Sequence, residues 1–197
     1  MTIRPIIFSG PMVRALLDGR KSQTRRITPC PLSKVEVGDM LYVREAFAYC
    51  GRNAYPARDC MKHPRGGDSV IHRAGWDRSP PASGWRPSIH MPRWSSRLTL
   101  RVNRVFFDPV QRISAADAIA EGIAQNPHYG DWGGQWMNYP EGSSEGGWKC
   151  PRDSFRSLWD TLHTKPGETW ADNPRVVAIQ FETIRANVDA VKEMADG

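Results

Sequence analysis

Gly19-Arg20-Lys21-Ser22-Gln23-Thr24-Arg25-Arg26-Ile27 places three arginines and a lysine within seven successive positions. The stretch is short and ends on a β-branched residue, so it reads as a loop entering a strand. A helix precedes it. Ser9 can cap, Pro11 occupies the first turn, where a missing N–H costs nothing, and Gly19 supplies the stop, with Met12, Val13, Leu16 and Leu17 as the inward stripe. On its C-terminal side, Val37-Gly38-Asp39 reads as a turn and Met40 to Ala48 as a strand, with Leu41, Val43 and Phe47 on alternate sites and Glu45 within it.

Further out, residues 50–92 shift to Gly, Pro, Arg and Trp with little periodicity and read as a long insertion, with a short strand at Ser69–His72. Arg97–Val102 alternates, predicting a half-buried strand with Leu98, Leu100 and Val102 inside and Arg97, Thr99 and Arg101 on a basic outer face. Ser114-Ala-Ala-Asp117 resembles a capping box, Asp standing in for Glu, and opens a helix that carries Glu121 to its end before Gly122 stops it. Residues 125–150 form a second Gly-rich, aromatic insertion. Phe155, Leu158, Trp159 and Leu162 recur at helical spacing from about Pro151 to His163, Val176–Ile184 reads as a closing strand, and 185–197 as a polar tail, either frayed or weakly helical. Short strands with two or three interspersed helices indicate a mixed α/β or β-barrel domain, and periodicity does not choose between them; the α+β class comes with the resemblance below.

The totals bound the function classes. A chain of 197 residues with 40% hydrophobic and 24% charged residues buries a core without disulfides or metals and is read as one domain, 1–184, plus the tail. A formal charge of +6, mostly from arginine, favours an anionic partner, RNA included. Four scattered cysteines fit a reducing compartment. With no apolar run long enough for a secretory signal or a membrane span, the expected location is the cytoplasm, with no membrane partner.

Several segments taken together resemble the ASCH domain family. They are Arg4-Pro5-Ile6-Ile7-Phe8-Ser9, Gly19–Arg26, Gly38–Glu45, Trp85–Trp94, Asp117–Ile123, Phe155–Trp159 and Trp170–Phe181. The resemblance spans nearly the whole chain and is strongest to phage and prophage members with both insertions. It implies a PUA-like mixed β-barrel with a few flanking helices and two long loop insertions. The bacterial N(4)-acetylcytidine amidohydrolases of that broader family place a lysine and a threonine in the Gly-Arg-Lys-x-x-Thr segment and a glutamate in the later helix, matching Lys21, Thr24 and Glu121. The implied activity is metal-independent hydrolysis of the amide on the exocyclic nitrogen of an acylated cytosine nucleoside, with Thr24 as nucleophile, Lys21 as base and Glu121 as proton donor, and no cofactor.

The residues themselves are compatible with that chemistry. A threonine hydroxyl needs a base, and a lysine serves only when its pKa falls well below about 10.4, which burial and the cationic neighbours Arg20, Arg25 and Arg26 promote. Arg20 and Arg26 are candidate substrate-binding residues, as are Glu45 on its strand and Trp94 as a base-stacking ring. The plainer reading is a basic phosphate-binding loop with Thr24 a strand residue, Glu121 a solvated helix end, and Glu45 a surface ion pair with Arg44. Cys50, Cys60, His63 and His72 match no paired zinc spacing, so no metal is expected. Two other functions compete: a non-catalytic module binding RNA or a modified nucleobase, and a ribonuclease using Lys21 or His90.

Overall fold

The computed structural model describes residues 1–51, 54–56, 59–126, 135–139 and 147–196. In chain order the elements are β1 (Ile3–Ile7), α1 (Gly10–Leu17), β2 (Gln23–Ile27), β3 (Met40–Arg44), β4 (Phe47–Cys50), β5 (Met61–Lys62) and β6 (Ser69–His72). Then come β7 (Thr99–Pro109), α2 (Ala115–Ala120), α3 (Pro151–Leu162), β8 (Arg175–Ile184) and α4 (Val188–Asp196). The class is α+β. One sheet is mixed, with the order β1-β3-β7-β8-β2, and the other is three-stranded, β4-β6-β5.

The chain divides into two compact units: residues 1–17, 38–102 and 182–197 form the first, and residues 18–37 and 103–181 the second. In the first unit β1 runs parallel to β3, pairing Ile3 with Met40 through Ile7 with Arg44, and β3 pairs antiparallel with the start of β7. The strand expected over Met40–Ala48 is instead two strands, because pairing stops at Glu45 and Ala46 and the chain changes sheets there. Glu45 therefore sits at a break, where its side chain turns inward. The insertion 50–92 supplies β5 and β6 to the second sheet, with β6 paired to β4 from Phe47–His72 to Cys50–Ser69. The polar tail is largely helical: Val188 and Val191 of α4 bury against Met40, three residues apart on one helix face.

In the second unit β2 pairs antiparallel with β8, Gln23 opposite Gln180 and Ile27 opposite Val176. Its apolar core gathers Val110, Ile113, Ala118, Ile123, Phe155, Trp159 and Val176. α2 begins where its capping box places it, Ser114 accepting from the Asp117 N–H, and ends at Glu121 as Gly122 takes a left-handed φ of 85°. α3 shows the expected inward residues Phe155 and Trp159. Of the second insertion, residues 127–134 and 140–146 lie outside the described residues. Among the described residues no helix is long and apolar enough to cross a membrane.

His72 in β6 is buried, with Nε2 against the Ser95 carbonyl at 2.8 Å. Burial lowers its pKa from 6.5, Glu45 opposing and Arg97 adding to the effect. The folded chain thus resists a proton that the unfolded chain accepts, so this contribution to stability is complete above about pH 6.5 and is lost as the pH falls from there toward the depressed folded value. Urea midpoints at about pH 7.5 and about pH 5.5 are expected to drop on acidification, and to drop less in His72→Gln. An equal drop in the variant would assign the acid sensitivity elsewhere.

Candidate functional site

The charged string 20–26 is built onto the C-terminal end of α2. A helix leaves its last carbonyls without intrahelical partners. Here Ser22 N–H donates to Ala120 O at 2.9 Å, Lys21 Nζ to Glu121 O at 2.7 Å, and Arg20 to Gly122 O at 3.4 Å. Three consecutive residues thus match three consecutive carbonyls. Lys21 Nζ also donates to Gln23 O at 2.7 Å and to Glu121 Oε2 at 3.1 Å. With Lys21 3% and Glu121 4% exposed, this is a buried ion pair rather than a solvated helix end.

Strand alternation then divides β2. Gln23 and Arg25 turn to one face, where α2 presents Asp117 and Glu121 four residues apart. Arg25, 5% exposed, donates to Glu121 Oε1 at 2.9 Å and approaches Asp117 Oδ2 at 3.5 Å. The Gln23 amide sits between them: in the orientation that gives both its ends partners on this side, its oxygen accepts from the Arg25 guanidinium and its nitrogen donates to Asp117 Oδ1 at 3.1 Å. Thr24 and Arg26 take the alternate positions, with Arg26 still close enough for its charge to act on Lys21 and Glu121. Thr24 is wholly buried, and its Oγ1 accepts from Arg26 at 2.6 Å, the same guanidinium donating to Arg25 O at 2.7 Å. An oxygen that accepts in this way still has its own proton to give.

The electrostatics reflect this geometry. Burial pushes the Lys21 ammonium below its ordinary pKa of 10.5; Glu121 acts against this, and the charges of Arg26 and Arg25 add to it. Burial likewise works against the Arg26 charge, with Glu121 supporting it. At Asp117 burial favours the proton, but hydrogen bonds from Ser114 and the charges and amide of Arg25 and Gln23 outweigh it, and the carboxyl is held below its ordinary value. His163, at the end of α3, is stacked on Trp159 at 4.0 Å and is lowered chiefly by burial, with Arg26 contributing.

The expected site residues therefore fall into two groups. Lys21, Thr24, Glu121 and Arg26 belong to the cluster between β2 and α2, and Arg20 lies at its edge, exposed and paired with Asp18 at 3.0 Å. Glu45 and Trp94 belong to the first unit. Glu45, 2% exposed, holds Arg97 bidentately at 2.8 and 3.0 Å, and Arg97 also donates to Ala74 O. It is not a surface pair with Arg44, and Arg97 is not on an outer basic face, because the break after β3 turns Glu45 into the fold and Arg97 turns in with it. Trp94 packs with Phe47, Val70 and Met91 and meets the His63 ring edge-on at 4.6 Å. Cys50 and Cys60 share an apolar cluster as free thiols, and among the described residues no three His, Cys, Asp or Glu converge as a metal site.

Gln23 and Asp117 were not among the expected site residues, and Arg25 was expected only as one of the charges near Lys21. Two signals carried them: the shared parity of Lys21, Gln23 and Arg25, and the four-residue spacing of Asp117 and Glu121. No protein-family model, curated protein or solved structure matches the chain.

Truncating one member of a buried ion pair strands the other. Glu45→Ala is expected to lower the unfolding free energy by about 3 kcal/mol, the lower end for buried pairs because the Arg97 side chain is 30% exposed. In denaturant titrations the double replacement Glu45→Leu, Arg97→Met should recover most of that loss; additive losses would mean the two side chains act independently.

Proposed function

We propose that the second unit is a metal-independent amidohydrolase site that removes the acyl group from N(4)-acetylcytidine or a related N(4)-acylated cytosine nucleoside. The observation that carries the reading is the pairing of Lys21 with Glu121 in a buried cluster, beside a threonine whose oxygen is held by an arginine. The likeness of residues 19–26, 38–45 and 117–123 to ASCH-type amidohydrolases supports it, and on that reading the strands belong to a PUA-like barrel of the phage and prophage type.

The mechanism turns on one proton. The 3.1 Å contact from Lys21 Nζ to Glu121 Oε2 lets the resting pair, ammonium and carboxylate, become amine and carboxylic acid by a single transfer. That exchange creates a base and an acid together. Neutral Lys21 takes the Thr24 proton as Oγ1 attacks the acyl carbon, and Arg26 stabilises the developing negative charge, passing from Oγ1 to the carbonyl oxygen. Protonated Glu121 gives its proton to the leaving cytosine nitrogen, the C–N bond breaks, and the nucleoside departs from an acyl ester on Thr24. Lys21 then hands its extra proton to Glu121, takes one from water as the water attacks the ester, and returns a proton to Thr24 as the carboxylic acid leaves. The net reaction adds one water across one amide bond. Since Thr24 is wholly buried, entry of the acyl group requires displacement of the half-buried Arg26 side chain.

A binding module for RNA or a modified nucleobase is the second reading, favoured by exposed arginines lying over aromatic rings: Arg104 over Phe106 at 5.0 Å and Arg175 over Phe107 at 5.6 Å. A ribonuclease using Lys21 or His90 has no comparable support, since Lys21 is engaged by Glu121 and His90 lies in a short exposed turn.

Ultraviolet-monitored conversion of N(4)-acetylcytidine to cytidine separates these readings. The parent protein is expected to turn over, and Lys21→Ala, Thr24→Ala and Glu121→Gln each to lose about 10²–10⁴-fold in kcat/KM. An inert parent at enzyme concentrations sufficient for single turnovers removes the hydrolase reading, and salt-sensitive RNA binding that survives Lys21→Ala would then favour the module.

A further inference from the structure

Arg25 lies outside the set of catalytic groups, yet its side chain engages three members of the cluster. It is 5% exposed and touches three partners: Glu121 Oε1 at 2.9 Å, Asp117 Oδ2 at 3.5 Å, and the Gln23 amide oxygen. Its guanidinium cannot give up its charge under physiological conditions, whereas the Lys21 ammonium can. Glu121 thus has two cationic neighbours of different kinds, one on each oxygen.

The consequence is electrostatic. A buried carboxylate whose single cation loses its proton is left as an uncompensated charge, a state costing several kcal/mol, so an isolated Lys–Glu pair resists deprotonation of the lysine. A second, permanent cation on the other oxygen removes that penalty. We propose that Arg25 is the positioning residue of this site: it fixes the Glu121 carboxylate and acts as its standing counter-ion, which frees Lys21 to exist as the neutral amine. Gln23 and Asp117 hold the guanidinium in place, which explains why a strand residue as polar as Gln23 is wholly buried. The catalytic meaning of this linkage rests on the amide-hydrolysis reading; the charge linkage itself does not.

Among the described residues, further charged and titratable groups bear on this cluster. Arg26 on β2 acts in the same direction as Arg25, and Asp117 on α2 is shared with Arg25. Arg20, which also reaches Tyr139 electrostatically, is paired with Asp18, and Cys30 and His163 act on or respond to Arg26.

The test observes the Lys21 side chain directly, by NMR titration of ¹³Cε-labelled lysine in the full chain, with Lys21→Ala providing the assignment. Lys21 in the parent is expected to titrate below the ordinary lysine value of about 10.4, and in Arg25→Met to move upward by about one pH unit or more, a tenfold change in proton affinity. Asp117→Asn, which spares Arg25 and lets its charge bear on Glu121 alone, is expected to move the titration downward. A parent Lys21 at the ordinary value, or an Arg25→Met titration that stays put, overturns the proposal. If circular dichroism shows Arg25→Met unfolded, Asp117→Asn decides: a downward shift supports the linkage, and no shift or an upward one overturns it. Since no turnover is read, a negative hydrolysis assay leaves this outcome intact. Where the parent does hydrolyse the amide, the alkaline limb of its kcat/KM profile, at which the Lys21–Glu121 pair loses its one shared proton, should rise with the Lys21 titration in Arg25→Met, a movement that a merely structural arginine would not produce.

Discussion

Glu121 accepts from a lysine on one carboxylate oxygen and from an arginine on the other, in a place nearly without solvent. Desolvating three such charges is costly, and geometry must offset the cost. That requirement organises the second unit: α2 has to stop at Glu121, residues 20–22 have to meet the carbonyls it leaves open, and β2 has to start where Gln23 and Arg25 face the helix. The same contacts that make the cluster tolerable bring an ionisable amine and a carboxylate within proton-transfer distance.

The first unit handles a comparable problem to a different end. Glu45 is as buried as Glu121, but its partner Arg97 grips both oxygens and cannot deprotonate, and the neighbouring His72 is held neutral by burial. That arrangement anchors the chain at the point where it leaves one sheet for the other. A carboxylate held only by arginine locks structure, whereas one that shares a lysine retains a mobile proton. On the hydrolase reading proposed above, the chemical nature of the cation, more than burial, distinguishes the structural pair from the reactive one.

Local signals were legible in the sequence wherever one residue type has one backbone use. Ser114, Asp117 and Gly122 marked both ends of α2, and the 155–159 pattern and the β-branched run after Arg175 marked α3 and β8, since caps and periodicity act over a few residues. The break at Glu45 was not legible, because alternation through Ala48 is equally good for one strand or two and the choice depends on which sheet each half joins. Between a frayed and a helical tail the sequence did not choose for a related reason: the two buried valines of α4 gain their stabilisation from Met40, far away in the chain.

For the site, the sequence by itself determined the chemical inventory, a lysine, a threonine and three arginines in one short string and two carboxylates at helical spacing, because side-chain types and short-range periodicity need no partner to be read. Which carboxylate meets which cation was decided by tertiary structure alone. Lys21 and Glu121 are a hundred residues apart, and their contact exists because β2 pairs with β8 and α2 ends against residues 20–22. Only that packing removes water, and without its removal neither the pairing nor the depressed proton affinity of Lys21 would arise.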